Sequence, residues 1–296
     1  MSLTSNERLQ EVLSLALEDR SPGYADLVSN SNAILHTLKK KGMMKTYSGP
    51  KIRKRLQFAQ SGTYTRYSHL QFLNPKRKEL FNDAEFEPKL AAVSVALSGE
   101  DILKNSGEAQ LLDIMEEKMT AGEMELKDRF VEDFHSAGSA ENQIGGLQLA
   151  IPTDPTVGTY GGIDRSANAI WRTSAYDAHS YFAGQTQVTS TNVHGMFRTI
   201  VNERSRNTQG PDLICAAYEH FSAYDDGLLA VQRINDENEL GKRGFSNLMF
   251  YGAGKRIPVV LEGGIGTAMP ANVTYFLDSD GFGFEYHEDR NFKQFG

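Results

Sequence analysis

Gly158-Thr159-Tyr160-Gly161-Gly162-Ile163-Asp164-Arg165-Ser166-Ala167-Asn168, with Trp171-Arg172 just beyond, is the most tightly punctuated stretch of the chain. Gly161 and Gly162 permit backbone angles closed to other residues and predict a tight turn. Asp164 and Arg165 can bond to loop backbone or to a neighbouring subunit, and a local turn clamp is at least as good a reading as an intersubunit pair. Trp171 is expected to anchor the segment in the core. A second glycine turn precedes it, in Ile144-Gly145-Gly146-Leu147-Gln148-Leu149-Ala150-Ile151-Pro152. Residues 137 to 187 are rich in Gly, Pro, Thr and Ser and read as extended segments and turns, within which the glycine motif has a structural rather than a catalytic job.

Upstream, the charges are sorted into two blocks. Lys45 to Lys78 holds nine Lys/Arg and no Asp or Glu, and Glu100 to Asp133 holds eleven acidic residues against four basic, in a chain of net charge -7. The basic block alternates with apolar residues (Ile52, Lys54, Leu56, Phe58, then Tyr64, Arg66, Ser68, Leu70, Phe72), which predicts a two-stranded arm turning at Gln60-Ser61-Gly62. The acidic block places Leu111, Met115, Met119, Leu126, Phe130 and Phe134 at near-helical steps and predicts a long amphipathic helix over about 106–136. An isolated hairpin is marginal in water, so something must cover the arm. Nucleic acid is one candidate, through Lys/Arg interleaved with Tyr and Phe. A sequence pI near 5.6 and the acidic neighbour oppose it. The preferred partner is the acidic helix of another copy of the chain, in a head-to-tail contact that propagates. The candidate contacts are Lys51, Arg53, Lys54, Arg55, Arg66, Lys76, Arg77 and Lys78 on the arm, and Glu108, Asp113, Glu116, Glu117, Glu123 and Glu125 on the helix.

Elsewhere, residues 1 to about 45 read as amphipathic helix, broken at Ser21-Pro22-Gly23 and stopped at Lys39-Lys40-Lys41-Gly42. Ala91 to Leu97 reads as a strand with one large and one small face. Beyond the glycine turns come a helix from Thr189, a buried strand at 213–217, a helix over about 218–234, and strands near 248–251, 257–261, 273–277 and 282–287. This is an α+β pattern. With 296 residues and 40% hydrophobic content there is material for a large core. No apolar run is long enough to span a membrane and the first residues lack a signal-peptide pattern, so a soluble protein made in a cytoplasm is expected. Cys215 is the single cysteine, and an intrachain disulfide is excluded.

Catalytic signatures are lacking. The seven histidines (His36, His69, His135, His179, His194, His220, His287) show no metal-ligand spacing, and neither a metal nor a cofactor is expected. Val259 to Gly266 looks like a strand entering a dinucleotide-binding turn, but Met269-Pro270 follows where a helix should continue, and a flexible loop is the better reading. Asp278-Ser279-Asp280-Gly281 places its glycine too early for a calcium loop and reads as a hairpin turn. The chain is not expected to be an enzyme.

Taken together, the two glycine segments, the run Asn30 to Gly42 before the arm, Val95 to Gly107 before the long helix and Pro211-Asp212-Leu213-Ile214 before the later helix resemble, over nearly the whole chain, the major capsid proteins of tailed double-stranded-DNA bacteriophages. That resemblance implies the Hong Kong 97-like capsid fold, α+β. An N-terminal arm would cover 1–45 and an extended β-hairpin loop 46–88. A peripheral domain with a long spine helix would cover 89–140 and 271–296, and an axial domain 141–270. Gly161, Gly162, Asp164, Arg165 and Trp171 would be its structural motif. It implies a structural protein of the virion that self-assembles into pentamers and hexamers of an icosahedral head in the bacterial host cytoplasm. Each basic loop would lie on a neighbour's spine helix, and the N-terminal helix would clasp another subunit. The other partners implied are a portal protein, a scaffolding protein and packaged double-stranded DNA held only weakly. The short stretch before the arm leaves little room for a fused scaffold, so a separate one is expected. Members that run on past the position of Gly296 make this either a short member or one lacking the last peripheral strands. The alternatives are an encapsulin-like compartment shell, a nucleic-acid-binding protein using the basic hairpin and, weakest, a hydrolase using carboxylates with His179 or His194.

Overall fold

The computed structural model describes residues 32–60, 62–69, 78–96, 108–182, 184–206, 209–229, 248–262 and 269–287. The helical reading of 1–31 lies outside them. Asn32 opens the first helix, α1 (Ala33–Lys40), where its Oδ1 accepts from the backbone N–H groups of Ile34 at 2.8 Å and Leu35 at 3.1 Å. Two donors that a helix start leaves open are thereby satisfied. The lysines and Gly42, at φ +66°, end the helix where the sequence says. Ala33, Ile34, Leu35 and Leu38 are no more than 1% exposed. The described end of the segment expected to reach a neighbour is therefore built into its own subunit's core.

Strand β1 (Met44–Tyr47) pairs in parallel with Phe284–His287. Next, β2 (Ile52–Gln57) pairs antiparallel with β3 (Phe81–Phe86), from Ile52 opposite Phe86 to Gln57 opposite Phe81. The Phe58 N–H to Leu80 carbonyl bond, 2.8 Å, continues the ladder. The hairpin exists, but its second strand is not the one expected. Residues 62–69 form no strand, Leu70 and Phe72 lie outside the described residues, and the turn is not at Gln60-Gly62. The physical reason is charge: β3 sets Glu85 opposite Arg53 and Asp83 opposite Arg55, whereas two basic runs would set like charges face to face.

The strand expected at Ala91–Leu97 is also absent over 91–96. That segment lies along the long helix α2 (Glu108–His135), with Val95 Cγ2 at 3.0 Å and Val93 Cγ1 at 3.6 Å from where a Cβ on Gly122 would be. Lys118 Nζ donates to the Ala96 carbonyl at 3.2 Å. A helix side chain thus serves backbone that a ladder would otherwise satisfy. The 28 residues of α2 extend about 42 Å. Its Met119 and Phe134 are buried, in line with the apolar stripe.

Beyond α2 the chain folds back through Gly146, where a Cβ would lie 2.4 Å from the Phe134 carbonyl oxygen and 2.5 Å from that of Asp133. Only glycine lets this turn approach the end of the long helix so closely. A single helical turn, α3 (Leu147–Ala150), follows. The remaining elements are β4 (Thr159–Tyr160), β5 (Ile163–Asp164), α4 (Val193–Arg204), β6 (Leu213–Ala216), α5 (Tyr218–Leu229), β7 (Leu248–Gly252), β8 (Lys255–Leu261), β9 (Thr274–Leu277) and β10 (Phe284–His287). The main sheet has the order β7-β8-β6-β9, with β6 parallel to β8 and antiparallel to β9. Strand β9, inside the stretch expected to join the peripheral domain, is hydrogen-bonded into this sheet.

Strand β6 is buried at all four positions, and its alternation serves two cores. Leu213 and Cys215 face α1 together with Phe134, Leu147, Val260 and Leu277. Ile214 faces the other way, toward Val193, Phe197, Val201 and Tyr224 of the two later helices. A sheet covered on both faces needs continuous apolar strands, and Leu213-Ile214-Cys215-Ala216 is one. The architecture is α+β.

Candidate functional site

Tyr160 and Ile163 close a hairpin whose two-residue loop is Gly161, at φ +59°, and Gly162, at φ +75°. Two successive positive φ values are the type I′ turn, for which glycine is the fitting residue. The turn is pressed onto the larger hairpin. The Glu85 N–H donates to the Gly161 carbonyl at 3.0 Å, and a Cβ on Gly161 would lie 2.8 Å from Phe86 Cζ. Arg165 is 2% exposed, and its Nη2 donates to the carbonyls of Leu149 at 2.8 Å and Ala150 at 2.9 Å. Its guanidinium lies 5.2 Å from the Tyr160 ring centroid. One buried cation thus joins the 158–168 segment to the carbonyls that end α3 in the 144–152 segment. Asp164 acts locally, accepting from the N–H and Oγ of Ser166, both at 2.8 Å, and these bonds hold its carboxyl below the usual range.

Trp171 does not anchor the segment in the core as expected. It is half-buried, its Nε1 donates to the Tyr160 carbonyl at 2.9 Å, and its ring stacks on Tyr160 at 5.9 Å with Phe58 at 6.5 Å. Its amphipathic ring suits a seam, and the buried anchor is Arg165. Arg172 adds a second clamp, donating from Nε to the Arg165 carbonyl at 2.7 Å. The motif is therefore a brace under the hairpin.

On the hairpin, Lys51 and Arg53 pair with Glu85 at 3.3 Å and 3.1 Å, Arg55 pairs with Asp83 at 3.6 Å, and Lys54 pairs with Glu285. The partners of these four cations lie on β3 and β10 rather than on α2. Such pairs, open to solvent, contribute about 0–1 kcal/mol each. Arg66 and Lys78 are exposed, and beside Arg66 stand Tyr64 at 84% and Tyr67 at 68% exposure. Lys76 and Arg77 lie outside the described residues. On α2, Glu116, Glu117 and Glu125 are exposed and Glu123 is half-buried. The side chains of Glu108 and Asp113 are outside the description. Glu116, Glu117, Thr120, Ala121 and Met124 lie on one face of α2, and Met124 is 59% exposed.

Among the described residues no group of three or more His, Cys, Asp or Glu could hold a metal ion. None of their helices is long and apolar enough to cross a membrane. Burial pushes the Cys215 thiol up, well above its ordinary value, leaving a neutral core residue. Sequence reasoning missed Glu262, which directly follows strand β8 and is 8% exposed, and its buried neighbours Asn32 and His135. The available signal was an acid closing an otherwise apolar run, Ile257 to Leu261.

No family model matches the sequence, and no curated protein matches it. Among solved structures it is similar to a Cyanophage A-1(L) capsid asymmetric unit, at 15% identity and a TM-score of 0.49, over 87% of this chain and 75% of that one. A likeness at this level carries no argument about function.

Proposed function

We propose that this chain is the major capsid protein of a tailed double-stranded-DNA bacteriophage, a Hong Kong 97-like structural subunit assembling into pentamers and hexamers of an icosahedral head. The observation that carries this reading is a pair of exposed, complementary surfaces on one chain. One is a braced hairpin whose loop displays Tyr64, Arg66 and Tyr67; the other is a long helix with Glu116, Glu117 and Met124 on one exposed face. The loop of one copy lies on the helix of the next, and repetition of that contact makes a shell. The cis partners of Lys51, Arg53, Lys54 and Arg55 shift the weight of this contact to the loop beyond β2. Apolar burial of the tyrosines on Met124 holds it, and Arg66 and Lys78 set its register. The scaffolding protein, the portal protein and weakly held DNA belong to the same proposal, as does a location in the virion.

The test is electron microscopy and light scattering of the purified chain. Arg66→Glu with Lys78→Glu should raise the subunit concentration needed for assembly about tenfold or more. Adding Glu116→Lys and Glu117→Lys to that variant should restore it, because every copy supplies both surfaces. Shells indifferent to all four changes would remove the loop-on-helix contact. A monomer that never assembles but binds single-stranded DNA through the loop would replace the capsid reading with the nucleic-acid one.

A further inference from the structure

Three elements that meet in the core bring one acid and one histidine together away from water. Glu262 follows β8, His135 is the last residue of α2, and Asn32 caps α1. His135 is 0% exposed, Asn32 2% and Glu262 8%. Asn32 Nδ2 donates to Glu262 Oε2 at 3.0 Å, and the N-terminus of α1 lies beside this carboxyl. His135 Nδ1 lies 2.9 Å from the Val131 carbonyl. A carbonyl only accepts, so Nδ1 carries the hydrogen, and in the neutral ring Nε2 presents a lone pair. That lone pair faces Glu262 Oε2 at 3.7 Å. Among the described residues, Glu262 Oε1 and His135 Nε2 are both buried with no hydrogen-bond partner. A carboxylate against a lone pair is repulsive, and a fully protonated pair leaves a buried imidazolium without a counter-charge, so the arrangement calls for one proton.

We propose that protonated Glu262, facing neutral His135, is a one-proton latch that holds α1 against the end of the long helix, and that gaining or losing a proton there loosens α1. Burial, the leading cause for both groups, pushes the Glu262 carboxyl from its ordinary 4.5 up to about 7 and lowers the His135 imidazole from its ordinary 6.5. Among the described residues, Cys215 on β6 also faces this carboxyl, and burial keeps its thiol neutral. The Lys41–Asp212 pair, also bonded to Ser279, grips the opposite end of the helix.

The signs follow from counting protons. In the part of the range from 4.5 to 6.5 that lies above the depressed His135 value, the open state carries one proton, on histidine, and the latched state also carries one, on glutamate. Latching is then flat with pH across that window, because neither state gains or loses protons relative to the other. Each single variant breaks the balance in its own direction. With Glu262→Gln only the histidine titrates. Its folded value is depressed, so stability is present above 6.5 and is lost as pH falls. With His135→Gln only the glutamate titrates. Its folded value is raised, so stability is present below 4.5 and is lost as pH rises through about 7.

Amide hydrogen exchange of the 33–40 segment in the full chain, corrected for intrinsic rates, reads the opening equilibrium. The unsubstituted protein should be level across the window. Glu262→Gln should open about tenfold more per pH unit toward acid, and His135→Gln about tenfold more per unit toward alkali. A slope in the unsubstituted protein, or a flat profile in either variant, overturns the latch. Should a variant not fold, infrared spectroscopy of the unsubstituted protein at about pH 6 decides. A buried protonated-carboxyl band supports the latch, and its absence overturns it. The inference stands independently of assembly, since all its groups are in one chain.

Discussion

Gly161 and Gly162 share a turn and a backbone conformation but not a neighbourhood. A Cβ at Gly162 meets nothing within 4 Å, while one at Gly161 meets Phe86 and Ala84 of the hairpin. Alanine at Gly162 should therefore cost only the left-handed backbone penalty, about 1–2 kcal/mol. Alanine at Gly161 adds displacement of the hairpin and should cost about 1–3 kcal/mol more. Thermal unfolding of the two variants gives the comparison, and equal losses would mean the hairpin does not press on the turn. The turn itself was legible because paired glycines have few other uses. The burial of Arg165 was not, since nothing in Asp164-Arg165-Ser166 tells which of two adjacent charges goes inside. That depends on the carbonyls of Leu149 and Ala150, which only the fold brings near.

Among the elements, α1, α2 and β6 were readable because each is specified by its own residues: a stop of lysines and glycine, a long apolar stripe, an unbroken apolar run. The hairpin's second strand and the 91–96 segment were misread for the converse reason. Alternation marks a chain that can be a strand, but the partner is chosen by what lies opposite, and Asp83 and Glu85 sit well along the chain from the arginines they face. Extended residues 93–96 found a helix to lie on instead of a ladder. The hairpin depends in turn on the aromatic seam of Phe58, Trp171 and Tyr160. Trp171→Leu should remove about 1 kcal/mol of ring contact and loosen the hairpin locally. Proteolysis within 62–69 should quicken severalfold while the main thermal transition barely moves. A large fall in global stability would instead make the seam part of the core.

At the scale of the molecule, the candidate contact mixes charge with exposed apolar surface, and salt separates the two. Raising ionic strength from about 0.05 to about 0.5 M shortens the screening length to a few ångströms. The assembly threshold should then rise, but by less than about tenfold, because Tyr64, Tyr67 and Met124 are indifferent to screening. Light scattering across a salt series checks this, and collapse over several orders of magnitude would mean the charges act alone. The sorted charge blocks made both surfaces legible. The cis neutralisation of the hairpin was hidden, because it needs Glu285 beside Lys54, residues 231 positions apart. Asn32 and Glu262 are likewise 230 apart, and Lys41 and Asp280 are 239 apart. Among the described residues, these polar ties of α1 and the strand partner of β1 thus come from late in the chain. At about 5–20 residues per second a ribosome needs roughly 10–50 s to make the stretch between them. Through that interval the apolar face of α1 has only part of its native cover, from Phe134 and Leu147, and its packing is complete only once Leu213, Cys215 and Leu277 have been made.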